Sequence, residues 1–259
     1  MRTFRLLGMA LIAILISVNF AACSSDDDEE DNGGGTVVSG KLLKSITRKS
    51  DYSTNTSTFT YNDKKQLISA SNGYGESIDV IWSENSITVE TTADWKEEPA
   101  TFLLKNGIIT SVIGNYSYTL TYNNKQLTKA YGGPEDDFTW SWANGNINKF
   151  ISKDGSDEET LTCTYYTDKE NKHSIIDINA LDLDDIAGIE LGDLLLMAHP
   201  NLLGTTNKNL LKSTEHSDGD KASYTYELDN EGYPIRIVET YTKAYGGSSS
   251  TETYILTWQ

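Results

Sequence analysis

Histidine and cysteine are nearly missing from this chain, with three of the first and two of the second in 259 residues. His173, His199 and His216 are scattered and make no pair at helical or hairpin spacing, so the cluster a zinc ion needs is not encoded. Cys23 belongs to an N-terminal signal described below. That leaves Cys163 alone and rules out an internal disulfide, so the fold has to be held by its core. Basic residues are also scarce: 21 Lys and Arg stand against 38 Asp and Glu, a formal charge of -17. Such a chain is repelled by phosphate backbones, and nucleic acid is excluded as a partner. Anionic membrane surfaces are equally unfavourable, so any attachment must come from something other than a basic face. No Gly-x-Ser-x-Gly elbow, phosphate-binding loop or Cys/His pair occurs. The expectation is a non-enzymatic protein without a cofactor.

What is present begins at the N-terminus. Arg2 and Arg5 precede an apolar stretch from Leu6 to Val18, too short to span a bilayer, and the small pair Ala21-Ala22 stands directly before Cys23. A basic start, an apolar middle and small residues before a cut describe a secretory signal. The Ala21-Ala22-Cys23 passage resembles a bacterial lipobox. That resemblance implies removal of residues 1–22 and lipidation of the Cys23 thiol and its new amino group. Residues 23–40 follow as a linker expected to stay disordered, with the acidic run Ser24-Ser25-Asp26-Asp27-Asp28-Glu29-Glu30 and then Gly33-Gly34-Gly35. No later apolar run approaches the length of a transmembrane helix.

From residue 41 to 259 the chain reads as one all-β domain. Stretches of alternating aromatic or apolar residues recur, each broken by a short Asn/Asp/Gly/Lys turn of the kind that tolerates positive φ. Phe59 to Leu67, Tyr118 to Leu127, Trp140 to Ile147 and Tyr224 to Tyr233 share this plan, with weaker copies at Trp82 to Ile87 and Leu104 to Ile109. The anchors Tyr61, Trp82, Leu104, Tyr122, Trp142 and Tyr165 fall about 20 residues apart, an internal repeat of one hairpin per unit. Alternation assigns faces: Tyr116, Tyr118, Leu120 and Tyr122 project to one side, Ser117, Thr119 and Thr121 to the other. The aromatic rows are read as core. The predicted fold is therefore a large antiparallel up-and-down meander, a barrel or half-barrel.

The connections between units carry the acids, at residues 94–99, 132–137, 154–159 and 216–220. In a meander alternate connections lie at opposite ends. One rim should be tight and Asn/Lys-bearing, the other longer and acidic. A helical segment near 182–198, weakened by Gly188 and Gly192 and stopped by Pro200, interrupts the meander and is expected to cap or plug an open end.

The passage from His199-Pro200-Asn201-Leu202-Leu203-Gly204 through Lys208-Asn209-Leu210-Leu211 into the Tyr224 to Pro234 hairpin resembles uncharacterised Bacteroidetes lipoproteins, a domain of unknown function with a porin-like fold. The resemblance implies a large barrel-like sheet and supplies no catalytic residues. The acidic run after Cys23 is similar to the export signal of surface-exposed lipoproteins in that phylum, which implies an outer-membrane lipoprotein facing the cell exterior; the alternative is its periplasmic face.

Binding candidates are few. Trp95, beside acids in a connection, could stack on a sugar ring, which makes a glycan the first ligand class to test and another envelope protein the second. Asp154, Asp157 and Glu158 offer hard oxygens for calcium without the twelve-residue loop and its closing glutamate. Two other classes stay open: a transmembrane pore-like barrel with its apolar face outward, and a glycan-acting hydrolase with two facing carboxylates.

Overall fold

The computed structural model describes residues 40–92, 98–244 and 249–259. Cys23, the acidic run from Ser24 to Glu30, and Trp95 lie outside these residues. Within them the strands are β1 (Leu43–Lys49), β2 (Thr54–Tyr61), β3 (Leu67–Ser71), β4 (Ser77–Trp82), β5 (Ser86–Thr91) and β6 (Ala100–Lys105). Then follow β7 (Ile108–Ile113), β8 (Tyr118–Asn123), β9 (Gln126–Gly133), β10 (Asp136–Ala143), β11 (Asn146–Asp154) and β12 (Asp157–Glu170). The meander ends with β13 (Asn209–His216), β14 (Lys221–Leu228), β15 (Pro234–Thr242) and β16 (Ser250–Trp258). Every strand pairs antiparallel with its sequence neighbours, and β1 pairs with β16, so the sheet closes into a barrel. Closure decides between the barrel and the half-barrel.

The hairpins reading as weak copies, β4–β5 and β6–β7, are full members of the meander. Their tight turns share one rim. Asn106-Gly107, Asn124-Lys125 and Asn144-Gly145 take positive φ there, as two-residue hairpin turns require, and Lys65 does so in the longer 62–66 connection. The connections at 132–137, 154–159 and 216–220 all lie at the opposite rim, as the alternation of a meander dictates. The acids are therefore gathered at one rim, but its connections are not uniformly the longer ones: β9–β10 and β11–β12 are joined by two residues each, and the insert between β12 and β13 starts from the tight rim.

Inward positions are apolar along most of each strand, for example Ile78 and Val80, Leu120, Trp140, Phe150 and Leu256. Tyr116 departs from the expected face: it precedes β8 in a connection and is 64 % exposed. Outward positions carry mostly Ser, Thr and charged residues, with scattered exposed apolar ones such as Ile81, Leu103 and Ile113. Hydroxyls pair across strands at Thr47–Thr56 (2.9 Å), Thr58–Ser71 (2.9 Å) and Thr164–Ser213 (2.7 Å). Ion pairs such as Arg236–Glu227 and Lys221–Glu215 join them.

The aromatic anchors form a girdle just inside the tight rim, and its logic is a backbone one. In seven of the eight strand pairs that meet at this rim, β1–β16 included, one residue is bulged out of register, as Ile68 is in β3 and Thr128 in β9. A bulge interrupts the ladder and leaves the preceding carbonyl short of a partner. Each such carbonyl accepts a hydrogen bond from the next anchor. Trp82 Nε1 donates to Leu67 O (2.7 Å), Tyr122 Oη to Ile109 O (2.6 Å) and Trp142 Nε1 to Leu127 O (2.7 Å). Tyr165 donates to Ile147 O (2.7 Å), Tyr226 to Leu211 O (2.8 Å), Trp258 to Pro234 O (2.8 Å) and Tyr61 to Leu43 O (2.9 Å). The β4–β5 pair has no bulge, and the anchor that follows it is Leu104, which has no donor. Tyr165→Phe keeps the ring and strands the Ile147 carbonyl, so it should cost about 1–3 kcal/mol in a urea unfolding titration. An unchanged midpoint would mean that the girdle bonds do not contribute to stability.

The segment between β12 and β13 is the plug. It is not one helix near 182–198: α1 (Ile175–Ala180), a 3₁₀ turn (Asp185–Ala187), α2 (Asp193–Ala198) and a second 3₁₀ turn (Pro200–Leu203) make a longer, broken insert. Gly188, at φ 72°, ends the first 3₁₀ turn; a Cβ there would meet Val112 and the Tyr116 carbonyl on the wall. The insert enters from the tight rim, runs to the acidic rim and returns. At the acidic end Asp182 lies near His216 and Glu159. On the return, Leu67 N–H donates to His199 Nε2 (3.0 Å), Thr205 N–H to Lys125 O (2.8 Å) and Ile147 N–H to Asn207 Oδ1 (2.6 Å). Midway, Trp140 Nε1 donates to Leu181 O (3.1 Å). The core is thus the contact between the inward wall and the apolar residues of the insert, among them Ile178, Leu181, Ile186 and Leu195.

Candidate functional site

The insert does not fill the lumen everywhere. Against β1, β2 and β16, at the acidic rim, a cleft of about 370 Å³ remains between wall and insert, within the usual range for small-ligand sites. Its cause lies in the wall's alternation. Going towards that rim, inward positions change from Ile46 to Arg48 on β1, from Phe59 to Ser57 and Asn55 on β2, and from Leu256 to Tyr254 and Glu252 on β16. Polar side chains need water or a partner, so apolar packing stops there.

The polar wall is tied together. Arg48 and Glu252 form a two-point pair, Nε to Oε2 at 2.6 Å and Nη2 to Oε1 at 2.9 Å. Glu252 holds the guanidinium firmly charged. The Tyr254 hydroxyl lies 2.8 Å from Glu239 Oε2 and 3.0 Å from Glu252 Oε2, and Tyr224 donates to Glu239 Oε1 at 3.1 Å. Burial pushes both phenols well above their ordinary range, so they stay protonated donors. Two carboxylates therefore do face one another, as the hydrolase reading requires, but Glu239 accepts from Tyr224, Glu252 is paired with arginine, and the single Tyr254 proton goes to one of the two at a time. The arrangement can hold a ligand, with its polar atoms already tied to one another.

The opposite side of the cleft belongs to the insert. Leu191, Leu194 and Met197 give it an apolar face, and Asp193, whose carboxyl burial pushes up, lies at the start of α2. At the mouth, the β3–β4 connection is closed by the Asn72 N–H bond to Glu76 O (3.0 Å), while Asn72 Oδ1 accepts from Tyr74 N–H (2.9 Å). This pinned loop holds the Tyr74 ring 67 % exposed.

A second polar cluster is sealed. Asp177 accepts from Asn171 Nδ2 (3.0 Å) and is bonded to Ser174 and Asn207, beside a void of about 30 Å³. Burial pushes this carboxyl up to about 6. It joins the entry of the insert to its exit and has no access to a substrate.

Of the calcium candidates, Asp157 and Glu158 stand exposed at the start of β12, with Glu158 paired to Lys153 at 3.0 Å; the Asp154 side chain is outside the described atoms. Among the described residues no three His, Cys, Asp or Glu side chains form a metal-binding group. The cleft residues Arg48, Glu252 and Tyr74 escaped sequence reasoning. The signal available was a charged residue on an otherwise apolar inward row, in Ile46-Thr47-Arg48 and Glu252-Thr253-Tyr254-Ile255-Leu256.

Fold and site define a class: a closed antiparallel barrel stoppered by its own chain and notched at one rim. Known structures share the fold. The chain is similar to a porin-like protein from Bacteroides uniformis, with a TM-score of 0.67 and 18 % identity over 84 % of this chain and 96 % of that one. It is also similar to a porin-like protein from Bacteroides vulgatus, with a TM-score of 0.58 and 11 % identity over 85 % and 99 %. No family model and no curated protein matches. At these identities the likeness is one of fold, and it agrees with the porin-like fold expected from the His199 to Pro234 passage.

Proposed function

We propose that this is a non-enzymatic, lipid-anchored cell-envelope protein, displayed on the outer face of the outer membrane, that binds a small ligand or chain end in the rim cleft. The observation that carries the reading is the combination of a lumen filled by the protein's own residues with a single-sided notch. A conduit needs an open lumen, and here Leu195, Ile186 and Leu181 occupy it.

The pore reading is disfavoured by the outer wall. A barrel embedded in lipid turns apolar residues outward, whereas these outward rows carry hydroxyl pairs and ion pairs. Most strands are also short, from five residues in β3 to eight or nine in β14 and β16, with β12 longer at fourteen; spanning strands need about 9–11. A water-facing barrel needs an anchor, and the Ala21-Ala22-Cys23 passage supplies one.

Protease treatment of intact cells tests the placement. Wild type should be digested, and a variant with residues 26–31 replaced by alanine should be protected. Protection of both, with a periplasmic control intact, would overturn surface display.

A further inference from the structure

Resting on the binding reading above, the chemistry of the cleft selects a ligand class. Its two sides differ: Leu191, Leu194 and Met197 are apolar, while Asn55, Arg48 and Glu252 are polar. A pyranose ring has the same division, with a C–H face and an edge of hydroxyls. Arg48 is the cation among the described residues of the cleft wall, and it is committed at two points to Glu252. Asp193 then leaves the cleft with an uncompensated acceptor, in a chain of net charge -17. An anionic ligand finds no free positive partner here; a neutral polyol finds acceptors for its hydroxyls. The mouth carries the remaining element. Tyr74 stands 67 % exposed on its pinned loop, and Tyr52, in the neighbouring β1–β2 connection beside Ser53 of the cleft, is 97 % exposed. Flat rings held in water at the entrance of a polar notch suit stacking on a sugar face, and a loop fixed before binding loses little freedom on contact.

We propose that the cleft receives the uncharged terminal sugar of a glycan chain, its edge hydrogen-bonded to Asp193, Asn55 and Glu252 and the next sugar stacked on Tyr74. Tyr74 is the stacking residue named among the described residues; Trp95 lies outside them.

The test uses the full chain in detergent, fluorescently labelled, against an immobilised panel of neutral, acetamido and uronic oligosaccharides with spermidine as a sugar-free cationic probe in solution. At least one neutral or acetamido oligosaccharide should bind. Tyr74→Ala should weaken that binding about tenfold, and Ser53→Trp, which fills the cleft from an exposed position, should abolish it. Uronic chains should not bind. Uronic chains bound as well as neutral ones, or neutral binding indifferent to both substitutions, would overturn the proposal. Silence of the sugars with spermidine binding lost in Ser53→Trp would overturn the sugar class and keep the cleft as a binding site. If no probe responds to Ser53→Trp, the sugar class and the cleft fall together.

Discussion

Trp140→Ala should lower the unfolding free energy by about 3–5 kcal/mol, the range for deleting a large buried aromatic. Trp140 is 1 % exposed, and its ring lies 5.4 Å from Phe150 and 6.3 Å from Phe138. The loss has a polar part as well, since its Nε1 donates to Leu181 O at the point where the insert turns. Without that donor a buried carbonyl on the plug is stranded. Trp140→Phe separates the two effects, because it keeps most of the ring and loses the bond; it should fall between wild type and alanine. Guanidinium unfolding monitored by circular dichroism gives the midpoints. If the alanine variant unfolds within 1 kcal/mol of wild type, the insert is not part of the cooperative core.

The second large effect is one of pH. His199 is 2 % exposed, accepts the Leu67 N–H, and meets the rings of Trp82 and Tyr61 edge-on at 5.3 and 5.8 Å. Burial holds its pKa down at about 4, below the usual 6.5. As pH falls, the unfolded chain gains a proton near 6.5 while the folded one resists until about 4. Stability from this group is therefore complete above pH 6.5 and lost between 6.5 and 4, amounting to about 2 kcal/mol at pH 5. His173, pushed down to about 3 by burial and by His199, acts in the same direction. Asp177 acts oppositely: its carboxyl is raised from 3.8 to about 6, so its contribution is present below 3.8 and lost as pH rises to 6. Comparing wild type with His199→Gln cancels the groups that do not interact with His199, and relieves His173 of its push from His199, which also makes the profile shallower. The variant, which keeps an acceptor for Leu67 N–H, should show a shallower loss of stability from pH 7 to pH 5 in urea titrations. Parallel pH profiles would mean that His199 is protonated in the folded protein.

The hairpin plan was legible because its signals are local: Asn and Gly at the turns, and an aromatic anchor one strand before each. Tyr226 and Trp258 extend the anchors identified from Tyr61 to Tyr165. Their hydrogen bonds were not legible, since each depends on a bulge in the preceding hairpin and therefore on register. The insert was located by Leu191 to Met197, where spacing is helical. Its first helix was missed because Ile175-Ile176-Asp177-Ile178 buries successive residues on all sides, an acid among them, and shows no period. The cleft was the least accessible. Arg48 and Glu252 are 204 residues apart in the chain and meet through the pairing of β1 with β16.

That same seam governs when the domain can form. Ser45 finds its hydroxyl partner Thr257 across 212 residues, and β1 has no second neighbour until β16 exists. Contacts this remote in sequence are reached late and slowly. The barrel cannot close around its insert during synthesis; it closes last at its first strand.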